Sequence, residues 1–147
     1  IIEKEIENDK PKINVNEQWQ LAKKSIASFD NQEAINSLVL IINSETDDLE
    51  LLSEAYYFLG KINFDKNNMI DAAKYFATHH QGFADVSKRY ASNYFWLGKS
   101  LFGIGDQENG CLIMEDIIFS DEYLNNPEVI DDSKSLQTEQ ECGLIIN

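Results

Sequence analysis

The chain has 147 residues, of which 43% are hydrophobic and 16 are aromatic, with only 7 glycines and 2 prolines. That is about one domain by length, too apolar for a disordered chain, and too poor in Gly and Pro for a turn-rich sandwich. The net charge is −14, and residues 106–147 carry 11 acids against one base, Lys134, so the chain lacks the basic surface that nucleic acids and anionic membranes require.

In chain order, residues 1–14 read as an N-terminal linker or arm. The chain starts with Ile1 rather than methionine, as expected of a processed form or a fragment. Apolar residues recurring at i+3 and i+4 predict helices over 15–29, 31–43, 48–65, 69–80, 87–103 and 107–119. Asp47 or Asp48 is placed to cap the third by accepting from its free N–H groups. A last helix, about 127–141, opens after Asn126-Pro127, because proline suits a first helical turn. Residues 143–147 form a tail. No run of 18 uncharged apolar residues occurs, so no membrane-spanning segment is expected.

The helices fall into an internal repeat. Tyr56-Tyr57-Phe58-Leu59-Gly60-Lys61 returns 38 residues later as Tyr94-Phe95-Trp96-Leu97-Gly98-Lys99. Phe64 then matches Phe102, Asn68 matches Asp106 and Phe76 matches Met114. A further step back reaches Leu21, Ala22 and Lys23, with Asp30 and Ala34 in register with Asn68 and Ala72. In the second unit Leu52, Ala55, Tyr56, Leu59, Gly60 and Asn63 share one face of the first helix. Ile70, Ala73, Phe76 and Ala77 mark the second helix. Gly60 and Gly98 fall in mid-helix, where glycine costs about 1 kcal/mol against alanine. A repeated cost implies a repeated reason, namely close approach of the neighbouring helix.

Paired helices with small residues at fixed positions follow the tetratricopeptide pattern, here with a period of 38 and without the usual closing proline. One helical hairpin cannot bury its apolar face alone, so the units are expected to stack. The predicted fold is all-α: a right-handed superhelix of three tetratricopeptide-like hairpins plus a C-terminal capping helix. The repeat domain spans 15–142, with repeats about 15–52, 53–90 and 91–126 and the cap about 127–141.

The period also predicts a groove. In such a stack the first helix of each unit lines the concave face. One ladder of equivalent positions is Trp19, Tyr57 and Phe95. Four residues on comes Lys23, Lys61 and Lys99, and three further on Ile26, Phe64 and Phe102. These steps keep the ladders on one helix face, away from Leu21, Leu59 and Leu97. A lysine row between apolar rows suits a peptide or protein partner whose acids or carbonyls meet the ammonium groups. The alternative for the same residues is packing between repeats, with the lysines covering apolar surface.

No enzyme is expected. His79 and His80 are the only histidines, and adjacent helical residues diverge by about 100°, so they form no chelating pair. HExxH, GxSxG and Gly-rich phosphate-loop motifs are absent. Gly103-Ile104-Gly105-Asp106 falls in a repeat turn, and Asp47, Asp48 and Glu50 lack the spacing of a calcium loop. No metal and no cofactor is predicted. Cys111 and Cys142 are 31 residues apart with no neighbouring ligands. That excludes a zinc site and leaves two thiols or one disulfide.

Ala55-Tyr56-Tyr57-Phe58-Leu59-Gly60-Lys61, Asp71-Ala72-Ala73-Lys74-Tyr75-Phe76, Tyr94-Phe95-Trp96-Leu97-Gly98-Lys99-Ser100-Leu101, then Gly105-Asp106 and Cys111, resemble the C-terminal domain of the YbgF/CpoB proteins. These belong to the Tol-Pal system of Gram-negative bacteria, and the resemblance covers roughly residues 15–142. It implies a periplasmic scaffold that binds TolA and coordinates peptidoglycan synthesis with outer-membrane constriction in division. It also implies a homo-oligomer formed through an N-terminal coiled coil, which residues 1–14 are too short to supply. A structural subunit of a larger envelope assembly, of the BamD type or another tetratricopeptide scaffold, is the alternative. That subunit would bind through its convex or acidic surface. The family often carries cysteines at the positions of Cys111 and Cys142. In an oxidising periplasm, with the last helix folded back as a cap, a Cys111–Cys142 disulfide is the expectation.

Overall fold

A computed structural model describes residues 12–144. The described residues contain seven α-helices and no strand: α1 Val15–Ala27, α2 Asn31–Ile42, α3 Leu49–Asp65, α4 Met69–Gly82, α5 Tyr90–Gly103, α6 Gln107–Phe119 and α7 Pro127–Glu139. Two short 3-10 turns, Asp121–Tyr123 and Cys142–Leu144, follow α6 and α7. The residues before 12, in the predicted arm, and the last three of the predicted tail lie outside the described residues. The chain divides into two compact units, one ending at Asp47 and the other starting at Asp48.

In the first unit α1 packs on α2. Ala22, Ala34, Leu38 and Ile41 form its buried apolar contacts. Leu21, expected on the packing face, is exposed instead. In the second unit α3, α4, α5, α6 and α7 pack consecutively, and α3 also touches α5 as α5 touches α7. One cluster of apolar side chains runs through this unit, from Tyr57 and Phe76 to Met114, Tyr123 and Leu136. Ile70 is the exception on α4, since it is exposed beside the buried Ala73 and Phe76.

The repeated glycine has the structural reason expected of it. A Cβ on Gly60 would stand 2.5 Å from Cε1 of Phe76, well inside contact distance. A Cβ on Gly98 would collide with Met114 in the same way. Glycine on the first helix thus admits a large side chain of the second, once in α3–α4 and once in α5–α6. In the first unit Ala22 and Leu38, at the equivalent positions, are both fully buried.

The period is also written into the backbone. Phe29, Asn67 and Gly105, spaced by 38, all have positive φ, at 60°, 64° and 85°. The N–H groups of Asp30, Asn68 and Asp106 donate to the carbonyls of Ser25, Asn63 and Leu101 at 2.9, 2.8 and 2.9 Å. The preceding N–H groups donate to Ile26, Phe64 and Phe102. This pair of bonds is the Schellman ending, which places a left-handed residue after a helix. Asp30 and Asp106 then cap the next helix, accepting from the N–H groups of Glu33 and Asn109.

Only the third repeat places glycine at this left-handed position. Phe29 holds that conformation with an 87% exposed ring, so few contacts offset the strain. Phe29→Gly relieves about 1–2 kcal/mol of left-handed strain and gives back part of it as unfolded-chain entropy. The variant is expected to unfold at higher urea, with a net gain of about 0.5–1 kcal/mol. A lower midpoint would show that the Phe29 ring contributes packing.

The last helix forms a thin cap. Pro127 begins α7 after Asn126. Its buried positions are Ser133 and Leu136, with Val129 and Ile130 partly buried against the core. Two tethers hold its far end to α6. Cys111 of α6 is disulfide-bonded to Cys142, with Cα atoms 5.5 Å apart. The Gln107 side chain also donates to the carbonyl of Gln140.

Candidate interaction site

The predicted groove residues divide between the two units. In the first unit, Trp19 and Ile26 are half-buried on α1, and the Lys23 ammonium stands 5.6 Å from the centre of the Trp19 ring. In the second unit, α3 and α5 carry the remaining six. Four of them gather around a residue that the ladders do not contain, Trp96.

Lys61 of α3 reaches across to α5 and places Nζ 3.3 Å from the centre of the Trp96 ring. Lys99, one turn along α5, stands 5.0 Å from the same ring and 5.7 Å from that of Phe64. Phe64 and Phe95 meet Trp96 edge-on, at centroid separations of 5.0 and 5.6 Å. The result is an aromatic platform with two ammonium groups over it. Ammonium over an indole face is attracted by the ring quadrupole. The two like charges nevertheless repel each other. Lys61 is held below the usual lysine pKa, first by burial; Asp65 opposes the shift and Lys99 adds to it. Among the described residues neither lysine has an ion-pair partner.

Tyr57 and Phe102 do not join this platform. Tyr57 is only 6% exposed, and its hydroxyl is 3.2 Å from Ser92 Oγ of α5. Its ring is part of the core and offers no surface to a partner. The ladder failed there because α5 packs directly over that position of α3. Phe102 turns toward α6, where its ring lies against Gly110.

A second polar arrangement joins α3 to the loop before α5. Arg89 donates from Nε to both carboxylate oxygens of the nearly buried Glu54, at 2.8 and 3.0 Å. Its guanidinium stands 4.8 Å from the centre of the Phe58 ring and 5.1 Å from that of Tyr57. In the same region His79 is fully buried. Its Nε2 is 2.8 Å from Ser87 Oγ, and its Nδ1 has no hydrogen-bond partner. Burial pushes His79 down to about 4, with neighbouring His80 adding to the shift.

His80 stacks on Tyr94 at 4.1 Å and on Tyr90 at 5.7 Å. Tyr123 donates to the hydroxyl of Tyr90, which donates to Glu122. Burial raises Tyr90, Tyr94 and Tyr123 above the ordinary tyrosine pKa. The two histidines therefore serve packing, in rings and hydroxyls that hold α4, α5 and the turn after α6 together. Among the described residues no group of three His, Cys, Asp or Glu is placed to hold a metal, and no helix is long and apolar enough to cross a membrane.

The chain matches no protein-family model and no curated protein. The α3–α5 platform is consequently read on its own chemistry. It has two half-buried cations outside any ion pair among the described residues and three half-exposed rings. Such a surface can hold a carboxylate against an apolar neighbour.

Proposed function

We propose that the chain is a non-enzymatic interaction scaffold built of tetratricopeptide-like hairpins, and that its α3–α5 platform binds a peptide or protein partner. The observation that carries this reading is the pair Lys61 and Lys99 over Trp96, neither of them in an ion pair among the described residues. A partner carboxylate between the two ammonium groups relieves their repulsion and gains charge-assisted hydrogen bonds. Apolar partner side chains on either side meet Phe64 and Phe95. The disulfide favours an oxidising compartment. Together with the resemblance to YbgF/CpoB proteins, this supports a periplasmic scaffold of the Tol-Pal and cell-division type, with a TolA-like or peptidoglycan-synthesis partner.

Calorimetry tests the site. The probe is a short extended peptide in which glutamates alternate with leucine and proline. Its affinity is expected to fall by about tenfold or more in Lys61→Gln with Lys99→Gln, since a charged hydrogen bond contributes about 1.5–3 kcal/mol. The melting temperature falls modestly, because each cation–π contact contributes about 0.5–1 kcal/mol. Equal affinity for the folded double variant would remove the platform from the binding surface.

A further inference from the structure

We infer that the outward face of α6 is a second docking surface, one that takes a basic amphipathic helix. Ile113, Met114 and Ile117 turn α6 into the core. The opposite face carries Leu112 and Phe119 seven residues apart, so they lie on one stripe. They are 54% and 76% exposed, large values for such side chains. Between them a shallow depression of about 340 Å³ is lined by Leu112, Glu115, Asp116, Phe119 and Ser120. Leu124, just beyond the following turn, is 66% exposed.

The charge around this face selects the occupant. Glu108, Glu115 and Asp116 are exposed on α6, and Asp121 and Glu122 are exposed in the turn that follows. Residues 106–147 hold a single base. Two apolar anchors one heptad apart match the a-type spacing of a helix laid along the stripe, and flanking acids match lysines on that helix. A second copy of this chain is a poor occupant, since it carries the same net charge of −14. An anionic lipid surface is repelled for the same reason. With the platform on α3 and α5, the chain would present two surfaces of opposite chemistry, as a bridging scaffold requires.

Fluorescence anisotropy tests this with a labelled amphipathic peptide of leucine and lysine, and with a scrambled peptide of the same composition. The amphipathic peptide is expected to bind at least about tenfold more tightly than the scrambled one. Leu112→Ser with Phe119→Ser is expected to weaken it by a similar factor, as loss of central anchors does. Glu108→Gln with Glu115→Gln should weaken it too, and more at low salt. Lys61→Gln with Lys99→Gln should leave it unchanged, which separates this surface from the platform. Equal binding of both peptides, or full affinity in both α6 variants, would overturn the proposal. So would a concentration-dependent dimer in sedimentation that Leu112→Ser with Phe119→Ser abolishes, because the face would then belong to self-association.

Discussion

Replacing Cys111 and Cys142 by alanine is expected to lower the free energy of unfolding by about 3–4 kcal/mol, the loop-closure value for 31 residues. The effect is large because the loop encloses the whole of α7, the helix with the thinnest hold on the core. Its buried positions are Ser133 and Leu136, and the first of these supplies no apolar area of note. Burial of Leu136 together with parts of Val129 and Ile130 contributes a few kcal/mol at about 25 cal/mol per Å². Ordering the helix costs about 1–2 kcal/mol for each backbone residue fixed. Acids also crowd this end of the chain, and their repulsion opposes a compact cap. The disulfide offsets these terms by restricting the unfolded chain. Urea unfolding of the double variant should show the lowered midpoint, and amides of α7 should exchange before those of α4 and α5. An unchanged midpoint with protected α7 amides would mean that Gln107 and the apolar stripe hold the cap unaided.

Acidification is expected to destabilise the second unit through His79, by on the order of 3 kcal/mol at the low end of the window. The folded state holds this imidazole at about 4 against an ordinary 6.5. Between those values the unfolded chain binds the proton and the folded one does not. Stability is therefore full above about pH 6.5, falls as pH drops, and reaches its floor near pH 4. The physical cause is burial first, with His80 adding to it; the unpartnered Nδ1 fits this, since a charged ring would bury an N–H with no acceptor. His80 is lowered as well, again by burial first, and acts in the same direction. Comparison with His79→Gln isolates the imidazole. The stability advantage of the wild type over the variant should shrink between pH 7 and pH 4. A gap independent of pH would show that His79 is solvated or paired in solution.

The repeat was legible because it is a backbone property with a side-chain signature. A 38-residue step in the sequence finds Gly60 with Phe76 and Gly98 with Met114, and the structure packs those pairs together. The same step finds the Asp30, Asn68 and Asp106 turns, whose hydrogen bonds repeat. The helix ends were less legible. Helix α5 was expected from residue 87, yet it starts at Tyr90. The Ser87 hydroxyl instead accepts from the Arg89 N–H and meets His79. The contact with His79, on the preceding helix, has no local signal. The disulfide was open from the cysteines alone and became an expectation only through the resemblance.

The site was half legible. Lys61, Lys99, Phe64 and Phe95 were found by period, but Trp96 was not, because it is one residue out of step with the aromatic ladder. Helical side chains lean toward the N-terminus, so Lys99 comes to rest over the ring three residues before it. Lys61 reaches Trp96 from another helix, a contact that no spacing within one unit displays. Tyr57 has the right period and the wrong surroundings, since α5 covers it. The Glu54–Arg89 pair is 35 residues apart, close to the period yet unrelated to it.

The central claim, that Lys61 and Lys99 hold a partner carboxylate over Trp96, is tested most directly by the fluorescence of Trp96 itself. Trp19→Phe leaves Trp96 as the only indole. Titrating this protein with the glutamate–leucine–proline peptide should change its emission in a saturable way, as the bound carboxylate draws the two ammonium groups from the ring. The same peptide with lysine for glutamate should give no change, and Lys61→Gln with Lys99→Gln should abolish the response. Emission that stays constant on addition of the acidic peptide, or that changes equally in the Lys61→Gln, Lys99→Gln variant, would contradict the account.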